Sequence, residues 1–351
     1  LIITCFSKDR LLIFTDQGRV YGLKAWETPL GSRHSRGGHI RNLLESLRED
    51  ENIVTILPIS RELLETPEGN YLLFATKLGL IKKTRLEEYV RINRNGKYAL
   101  RFKLDGDSLV NVRCGTDDSD IVMISSTGFA SRFACQKIRS SGRVSAGVYG
   151  IKTGNRKGAD GGHVVGMVAT NNTETQILTI SKNGMAKRSR LGTADKIPYL
   201  DAEGVQKVDK ETGDLMERTD GYRKTNPGAK GAFTMNINKE DNDEIIAARH
   251  IPDLDDNLFV LTKKGMMIRL RANQTKETKS KKSKGTRIME LGNKGKSGFS
   301  DEIIFVARLP AELIDDEDDS FDEMDTNQDG VVDREEFEAA LKLKSLSEEE
   351  E

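Results

Sequence analysis

The chain has 351 residues, and its three cysteines (Cys5, Cys114 and Cys135) lack CxxC spacing, which argues against a zinc site or a disulfide framework and indicates a reducing compartment. No apolar stretch approaches the ~18 residues needed to cross a bilayer, so no membrane anchor is expected. Residues 1–310 hold 52 basic and 38 acidic residues, a net of +14, whereas residues 311–351 hold 3 and 18, a net of −15, which predicts a polyanion-binding body with an acidic appendage.

Five segments share an apolar run, a turn glycine and a return run. They are Leu11–Lys24, Tyr71–Lys83, Ile121–Phe133, Gln176–Arg188 and Leu258–Leu270, with turn glycines Gly18, Gly79, Gly128, Gly184 and Gly265. Glycine is expected there because hairpin turns place residues at positive φ. β-Branched and aromatic residues on both arms predict strands, and the runs are too short for helices.

Each hairpin is followed by a basic loop that contains glycine and then by another apolar strand. The loops are Ser35–Gly38, Arg94–Lys97, Ser141–Arg143, Ala229–Gly231 and Ser283–Gly285. The closing strands are Asn52–Ile59, Leu109–Arg113, His163–Ala169, Glu244–His250 and Glu302–Pro310. Leu1–Ser7 is interpreted as a sixth copy of this closing strand.

A repeated unit that cannot bury its own faces stacks on its neighbours, so the repeats predict an all-β, propeller-like fold. A β-sandwich is the alternative, which five matching hairpins disfavour. The longest interval between turn glycines contains Gly192–Arg223, interpreted as an inserted, solvent-exposed hairpin. We expect two parts: a repeat domain over residues 1–310 and an acidic tail over residues 311–351.

In four of the five hairpins the fourth residue after the turn glycine is basic, namely Lys83, Arg132, Arg188 or Arg269. A cation at one repeated position predicts a basic ring that binds DNA phosphates, with bending and weak sequence preference. Together with the loop cations, the expected DNA-binding residues are Arg33, Arg36, Arg41, Lys82, Lys83, Arg94, Arg132, Arg143, Lys187, Arg188, Lys230, Arg269, Lys279, Lys281, Lys282 and Lys284.

The acidic tail contains a 12-residue segment, 325–336, with the spacing of an EF-hand calcium loop. The expected Ca²⁺ ligands are Asp325, Asn327, Asp329, the carbonyl of Val331, Asp333 through water, and Glu336. Gly330 permits the sharp turn, and the flanking segments Ser320–Met324 and Glu335–Leu343 are expected to be helical. One loop is present, so a second copy from another protomer is one candidate partner.

The first repeat resembles the second blade of the C-terminal domain of the DNA gyrase A family. The matching residues are Gly18–Tyr21, Arg36–Gly37, Asn42–Leu44 and Ile56–Pro58, and later repeats match more loosely through LFATKLGLIKKT and SSGRVSAGVYGIKTG. The resemblance covers about residues 1–310. It implies a six-bladed β-pinwheel that wraps duplex DNA, joined to a small helix–loop–helix EF-hand.

The resemblance further implies no catalytic residues in this chain. DNA cleavage would belong to the gyrase A breakage–reunion domain and the ATPase to gyrase B, in an A2B2 holoenzyme that uses ATP and Mg²⁺. Wrapping would direct strand passage and negative supercoiling in a bacterial cytoplasm, associated with the nucleoid, although an organellar origin stays open. Family members often carry an acidic tail that competes with DNA, and we expect Ca²⁺ to modulate this one.

Two departures leave alternatives open. The family's gyrase box, a Gln-Arg-Arg-Gly-Gly-Lys-Gly type of loop, does not occur here. Because the chain starts at Leu1 inside an apolar run, it is expected to be a fragment, and the missing box reflects either truncation or a topoisomerase IV A-type protein. An extracellular calcium-binding propeller and a propeller hydrolase are less favoured, since the four histidines, His34, His39, His163 and His250, lack metal-ligand spacing.

Overall fold

The structure, a computed structural model, describes residues 3–31, 36–44, 46–153, 162–201, 203–209, 212–237, 243–292, 294–295, 298–299, 301–311 and 331–332. The strands, in chain order, are β1 (Arg10–Thr15), β2 (Arg19–Lys24), β3 (Ile53–Ile59), β4 (Asn70–Thr76), β5 (Leu80–Arg85), β6 (Lys97–Tyr98), β7 (Leu109–Thr116), β8 (Asp120–Ser125), β9 (Phe129–Ala134), β10 (Val148–Tyr149), β11 (Val164–Thr170), β12 (Gln176–Ser181), β13 (Met185–Arg190), β14 (Lys196–Pro198), β15 (Glu217–Thr219), β16 (Ala232–Phe233), β17 (Ile245–Ile251), β18 (Asn257–Thr262), β19 (Met267–Arg271), β20 (Thr286–Arg287), β21 (Lys294–Gly295), β22 (Gly298–Phe299), β23 (Ile303–Leu309) and β24 (Val331–Val332). Helices are short: α1 (Arg61–Glu65) and the 3₁₀ turns Ala25–Glu27, Ile40–Asn42, Leu86–Tyr89, Cys135–Lys137 and Ala272–Gln274.

The strands assemble into five four-stranded antiparallel sheets. In chain order these are sheet 1 (β3-β1-β2-β6), sheet 2 (β10-β5-β4-β7), sheet 3 (β11-β8-β9-β16), sheet 4 (β17-β12-β13-β20) and sheet 5 (β23-β18-β19-β24). All five predicted hairpins and their closing strands are present. The turn glycines have φ between +75° and +93°, as a hairpin turn requires.

The all-β, propeller-like fold is confirmed, but the prediction of six blades is wrong. The described residues form five four-stranded sheets, one for each hairpin. Leu1–Ser7 was expected to be a sixth closing strand, yet residues 3–7 form no strand and residues 1–2 lie outside the described residues. Each closing strand pairs with the first strand of a hairpin, and each of the five hairpins already pairs with a closing strand of its own repeat. None of these five hairpins is therefore left to pair with Leu1–Ser7.

The fourth strand of each sheet comes from farther along the chain. β6, which completes sheet 1, lies in the loop of the second repeat, and β10, β16 and β20 complete sheets 2, 3 and 4 in the same way. Glycine precedes each of these strands because the loop approaches the hairpin closely, contacting the Tyr21 ring at Gly96 and the hairpin backbone at Gly147, Gly231 and Gly285. At Gly231, with φ of +83°, an added Cβ would overlap the Ala130 carbonyl, so only glycine fits without a backbone shift.

The chain divides into two compact units. The first contains the described residues of Ile3–Glu174 and Leu191–Phe233 and holds sheets 1 to 3; the second contains those of Thr175–Arg190 and Thr234–Glu351 and holds sheets 4 and 5. In the first unit the closing strands β3, β7 and β11 pack side by side, and in the second β17 packs on β23. The fourth strands therefore lie at the opposite edge of each sheet, called here the outer edge.

Apolar side chains from neighbouring sheets fill the space between them. In the first unit Phe14 and Phe74 pack edge to face with ring centroids 5.6 Å apart, and Tyr89 packs on both rings. In the second unit Leu178 and Leu258 belong to one buried cluster. Within each unit this arrangement is what the repeat pattern predicted, because neighbouring sheets of the unit bury their faces against each other.

The inserted hairpin in Gly192–Arg223 is confirmed. β14 pairs with β15, and two further bridges join Leu200 to Gln206 and Val208 to Leu215. Val205 and Leu215 are both more than 60% exposed, so the insertion adds little to the buried core.

Candidate nucleic-acid interface

The basic loops lie at the outer edges of the sheets. The loops that contain Arg94, Arg143, Lys230 and Lys284 lead directly into β6, β10, β16 and β20, which are the fourth strands of sheets 1 to 4. Each loop lies at the outer edge of the preceding sheet, because the strand that follows the loop pairs with the hairpin of that sheet. The repeats therefore place the basic loops at the same edge of successive sheets, as the sequence indicated.

Six predicted DNA-binding side chains are exposed, five of them on these loops and one, Arg36, on the basic loop of the first repeat, and four others are partly exposed. The exposed ones are Arg36, Arg94, Lys230, Lys279, Lys282 and Lys284, and the partly exposed ones are Arg41, Arg143, Lys281 and Arg269. Arg33 lies outside the described residues. Some of these cations already have partners: Arg94 is 3.0 Å from Glu27, and the Lys230 ammonium lies 4.6 Å from the centroid of the Phe129 ring.

Five other predicted DNA-binding residues are buried, and here the structure corrects the expectation of a surface ring. Lys82, Lys83, Arg132, Lys187 and Arg188 are each at most 6% exposed. The fourth residue after the turn glycine lies inside its hairpin strand and directs its charged group into the loop of the following repeat. A phosphate cannot reach it there, so we exclude these five residues from the proposed DNA surface.

Arg132 shows what the repeated cation does. Its Nε and Nη2 donate to the Asp120 carboxylate at 3.1 and 2.5 Å, and its Nη1 donates to the carbonyl oxygens of Leu191, Gly192 and Tyr222 at 2.8 to 2.9 Å. Five charge-assisted hydrogen bonds are ample compensation for the burial of one guanidinium. Arg132 therefore ties sheet 3 to the segment that goes on to supply its fourth strand.

The equivalent side chains make similar links. Arg188 donates to the Thr275 carbonyl at 2.6 Å and to Gln176, and Lys83 pairs with Asp117 while its ammonium lies over the Tyr71 ring. Arg269 of sheet 5 donates to Asn257 at 3.0 Å. The repeated cation is thus a structural feature of the hairpins, with a carboxylate or amide partner at or near the first strand.

Lys82 and Lys187 are one residue closer to the turn and equally enclosed. The Lys82 ammonium donates to the carbonyl oxygens of Ala99, at 2.6 Å, and Arg143; that of Lys187 donates to the Ser280 carbonyl at 2.9 Å. Burial lowers the pKa of Lys82 to about 7 and that of Lys187 to about 8. Charge at these positions is therefore costly to the folded state.

This burial predicts a pH dependence of stability. Above the lowered pKa values the folded chain loses protons that the unfolded chain keeps up to a pKa of about 10.4, so stability should rise from about pH 7 toward pH 10. We expect the urea midpoint of the wild-type chain to increase from pH 7 to pH 9, and the increase to be smaller in a Lys82→Met, Lys187→Met variant. An unchanged pH dependence in that variant would show that both lysines are charged when buried.

The repeat alignment also identifies exposed cations that the sequence reasoning omitted. Lys97 lies in β6 itself, and Arg101 and Lys152 lie three residues beyond the aromatic residues Tyr98 and Tyr149 that end β6 and β10. All three are exposed at the outer edge. Arg101 and Lys152 share an offset of five residues from Gly96 and Gly147, the glycines that directly precede β6 and β10, and this offset becomes meaningful only once the two-residue fourth strands are recognised.

Potential metal-ligating side chains do not cluster among the described residues. These residues contain no group of three or more His, Cys, Asp or Glu side chains that could hold a metal ion. His39 accepts a hydrogen bond from the Arg41 backbone N–H at 3.2 Å, and His34 lies outside the described residues. Over the same residues, no helix is long and apolar enough to cross a membrane.

Of the expected calcium ligands, the structure describes Val331 alone, as part of β24. Asp325, Asn327, Asp329, Asp333 and Glu336 lie outside the described residues, as do the flanking helices predicted at 320–324 and 335–343.

Comparison with known proteins identifies the repeats and the loop. The family model described as DNA gyrase C-terminal domain, beta-propeller, matches residues 9–60, 70–115, 119–171, 175–195 and 256–296, which together exceed half of the chain. An EF hand model matches residues 318–342. The first match lies within the basic residues 1–310, and the second lies within the acidic residues 311–351.

Curated relatives include the DNA gyrase A protein of Staphylococcus epidermidis, 34% identical over 83% of this chain, and that of Deinococcus deserti, 30% identical over 82%. The chain spans 28% and 31% of their lengths, respectively. Among solved structures, a DNA topoisomerase IV C-terminal domain gives a TM-score of 0.65 at 21% identity, covering 87% of this chain and 80% of that one. A DNA gyrase A C-terminal domain gives 0.62 at 19% identity, covering 88% and 85%.

Proposed function

Because the chain belongs to the DNA gyrase C-terminal domain family, we propose that it binds duplex DNA through its exposed basic loops and wraps the DNA along the outer edges of its sheets. The observation that carries this proposal is the recurrence of exposed cations on the equivalent loops that lead into the fourth strands, as at Arg94, Lys230 and Lys284. Phosphates repeat along DNA, so cations that repeat along a protein surface contact many of them at once. Each contact releases counterions and adds to affinity without reading sequence.

The proposed role is that of the DNA-wrapping part of a type II topoisomerase. Wrapping would present one DNA segment to another and bias strand passage toward negative supercoiling. In this proposal the chain is non-catalytic, and cleavage, ATP and Mg²⁺ belong to a breakage–reunion domain and to gyrase B in an A2B2 assembly, located in a bacterial cytoplasm on the nucleoid. Topoisomerase IV is the alternative, since a C-terminal domain of that enzyme shares the fold about as closely as one of gyrase A does, whereas the curated relatives favour gyrase.

Binding should depend on DNA length and on salt. We expect affinity for duplex DNA to increase from about 15 to about 45 base pairs, because a longer duplex reaches more loops, and the slope of log K against log[salt] to steepen by about 0.9 for each added phosphate contact. Equilibrium binding of labelled duplexes over a range of salt concentrations measures both. Equal slopes for both lengths would contradict wrapping and indicate contact at a single loop.

We further propose that the acidic tail binds Ca²⁺ through its EF-hand loop. The donor set fits the ion, because Asp325, Asn327, Asp329, Asp333 and Glu336 supply hard oxygen ligands and the Val331 carbonyl another. When bound, Ca²⁺ would supply two positive charges to a tail whose net charge is −15. The tail would compete with DNA for the basic loops, and Ca²⁺ would weaken that competition.

Competition by the tail can be tested without removing it. Neutralising the stretch Asp315–Asp319 with Asn and Gln leaves the calcium loop intact and is expected to tighten DNA binding, most strongly in EDTA. The matched control is neutralisation of an equal number of acidic residues on the repeats, including Glu203 and Asp214 of the inserted hairpin. Equal effects of the two sets would indicate a general charge effect and contradict competition by the tail.

A further inference from the structure

Among the described residues, three aromatic side chains are exposed at the same register of the fourth strands. Tyr98 ends β6, Tyr149 ends β10 and Phe233 ends β16, and they are 51%, 48% and 39% exposed, respectively. Each is the second residue after the glycine that precedes its strand, and each lies opposite the residue that follows the turn glycine of the hairpin. The repeats of the first compact unit therefore place an exposed aromatic ring at the outer edges of sheets 1, 2 and 3.

Backbone hydrogen bonds join the outer edges of these three sheets. The Arg101 N–H donates to the Ser145 carbonyl at 3.4 Å, which ties the segment after β6 to the loop before β10. The Lys152 N–H donates to the Ala229 carbonyl at 3.1 Å, which ties the segment after β10 to the loop before β16. The three rings therefore lie on one connected backbone surface, so little conformational entropy is lost when a partner contacts them.

Exposed cations accompany each of these rings. The pairs, ring first, are Tyr98 with Lys97 and Arg101, Tyr149 with Lys152, and Phe233 with Lys230, and each cation lies within three residues of its ring. No Asp or Glu occurs within three positions of any of the three rings in the sequence. Phe233 shows the arrangement in detail: its ring centroid lies 4.4 Å from that of Phe129, and the Lys230 ammonium lies 4.6 Å from the same Phe129 centroid. A ring and a cation thus lie side by side.

This combination of apolar rings and cations matches the backbone of duplex DNA. Along each DNA strand a largely apolar deoxyribose ring alternates with an anionic phosphate, and both groups are contacted by proteins whatever the base sequence. We infer that Tyr98, Tyr149 and Phe233 pack on deoxyribose rings of the bound duplex, between the phosphates that the neighbouring cations contact. This inference rests on the proposed DNA binding, to which it adds an apolar component that releases no counterions.

Salt dependence separates the apolar contacts from the phosphate contacts. Changing Tyr98 and Tyr149 to alanine is expected to reduce affinity for the duplex of about 45 base pairs roughly 10-fold at every salt concentration, with an unchanged salt slope. Changing the exposed Lys97 and Lys152 to glutamine should instead lower the slope by about 1.8. Fluorescence anisotropy over a range of salt concentrations measures both variants. Phe233 is kept because it packs on Phe129, so that its loss would also alter the hairpin.

Two further variants control for the ring itself and for its position. Tyr98→Phe with Tyr149→Phe keeps both rings and should retain wild-type affinity. Tyr199→Ala with Leu215→Ala removes exposed side chains from the inserted hairpin, outside the fourth strands, and should also leave affinity unchanged.

The outcomes distinguish this inference from the proposed function. A lower salt slope in the double alanine variant would show that the rings position the cations, and wild-type affinity of that variant would favour a protein partner for the rings. Either result would overturn this inference alone. Absence of DNA binding by the wild-type chain would overturn the proposed function and this inference with it.

Discussion

Replacing Arg132 with methionine is expected to destabilise the chain by about 3–5 kcal/mol, because the change leaves the buried Asp120 carboxylate without its guanidinium. Three carbonyl oxygens, those of Leu191, Gly192 and Tyr222, lose their donor at the same time. Lys224, 3.1 Å from Asp120, remains to compensate part of its charge. Urea unfolding followed by circular dichroism measures the loss.

The matched control is Arg94→Met, which also replaces an arginine with methionine, but at an exposed position on the basic loop that leads into β6. Its pairing with Glu27 leaves it 52% exposed, so the change in stability should stay within about 0.5 kcal/mol. The effects on DNA affinity should be the reverse of those on stability. Affinity should fall for Arg94→Met and stay unchanged for folded Arg132→Met. If Arg132→Met were as stable as the wild type and bound DNA weakly, the repeated cation would be a phosphate ligand after all.

Neutralising the exposed lysines of one basic loop should have the largest effect on DNA binding. Changing Lys279, Lys282 and Lys284 to glutamine is expected to reduce affinity on the order of 100-fold at about 0.1 M salt and to lower the salt slope by about 2.7. All three residues are exposed in the segment that leads to β20. Fluorescence anisotropy with the longer duplex at several salt concentrations gives both quantities.

A control with the same change in charge is available in the same compact unit. Lys182, Lys263 and Lys264 lie at hairpin turns, where Lys182 and Lys263 pair with Glu302 at 2.9 and 3.0 Å. Changing these three to glutamine should alter the salt slope by less than about 1. Equal slopes for the two triple variants would mean that net charge, and not the outer-edge position, determines DNA binding.

The hairpins were predictable because each carries its information locally. An apolar run, a turn glycine and arms rich in β-branched and aromatic residues lie within one short segment such as Leu11–Lys24, and the same pattern recurs in the other repeats. Closing strands such as β3 and β7 were predictable for the same reason. The six-blade expectation was wrong because Leu1–Ser7 resembles a strand in composition, whereas its pairing depends on a hairpin elsewhere.

The fourth strands and the buried cations were not predictable because their partners are distant in sequence. β6 and β10 have two residues each, too few for any periodicity, and each pairs with the preceding repeat. The carbonyl acceptors of Arg132 lie 59 to 90 residues away, so nothing near ASRFA distinguishes a buried arginine from an exposed one. An exposed cation on a loop, such as Lys284, needs no distant partner to offset burial, and its surface position could be predicted from the sequence.

Chiral wrapping of DNA is the central claim, and topology trapping measures it most directly. A nicked circular plasmid is incubated with the chain, sealed by ligase in the presence of Mg²⁺ and deproteinised, and its linking number is read on a gel, with Ca²⁺ and with EGTA. We predict a positive shift in linking number that grows with the protein-to-DNA ratio and is lost in the Lys279, Lys282, Lys284 triple variant. Saturating binding without any shift would contradict chiral wrapping and favour the topoisomerase IV alternative, in which the domain binds DNA but wraps it less.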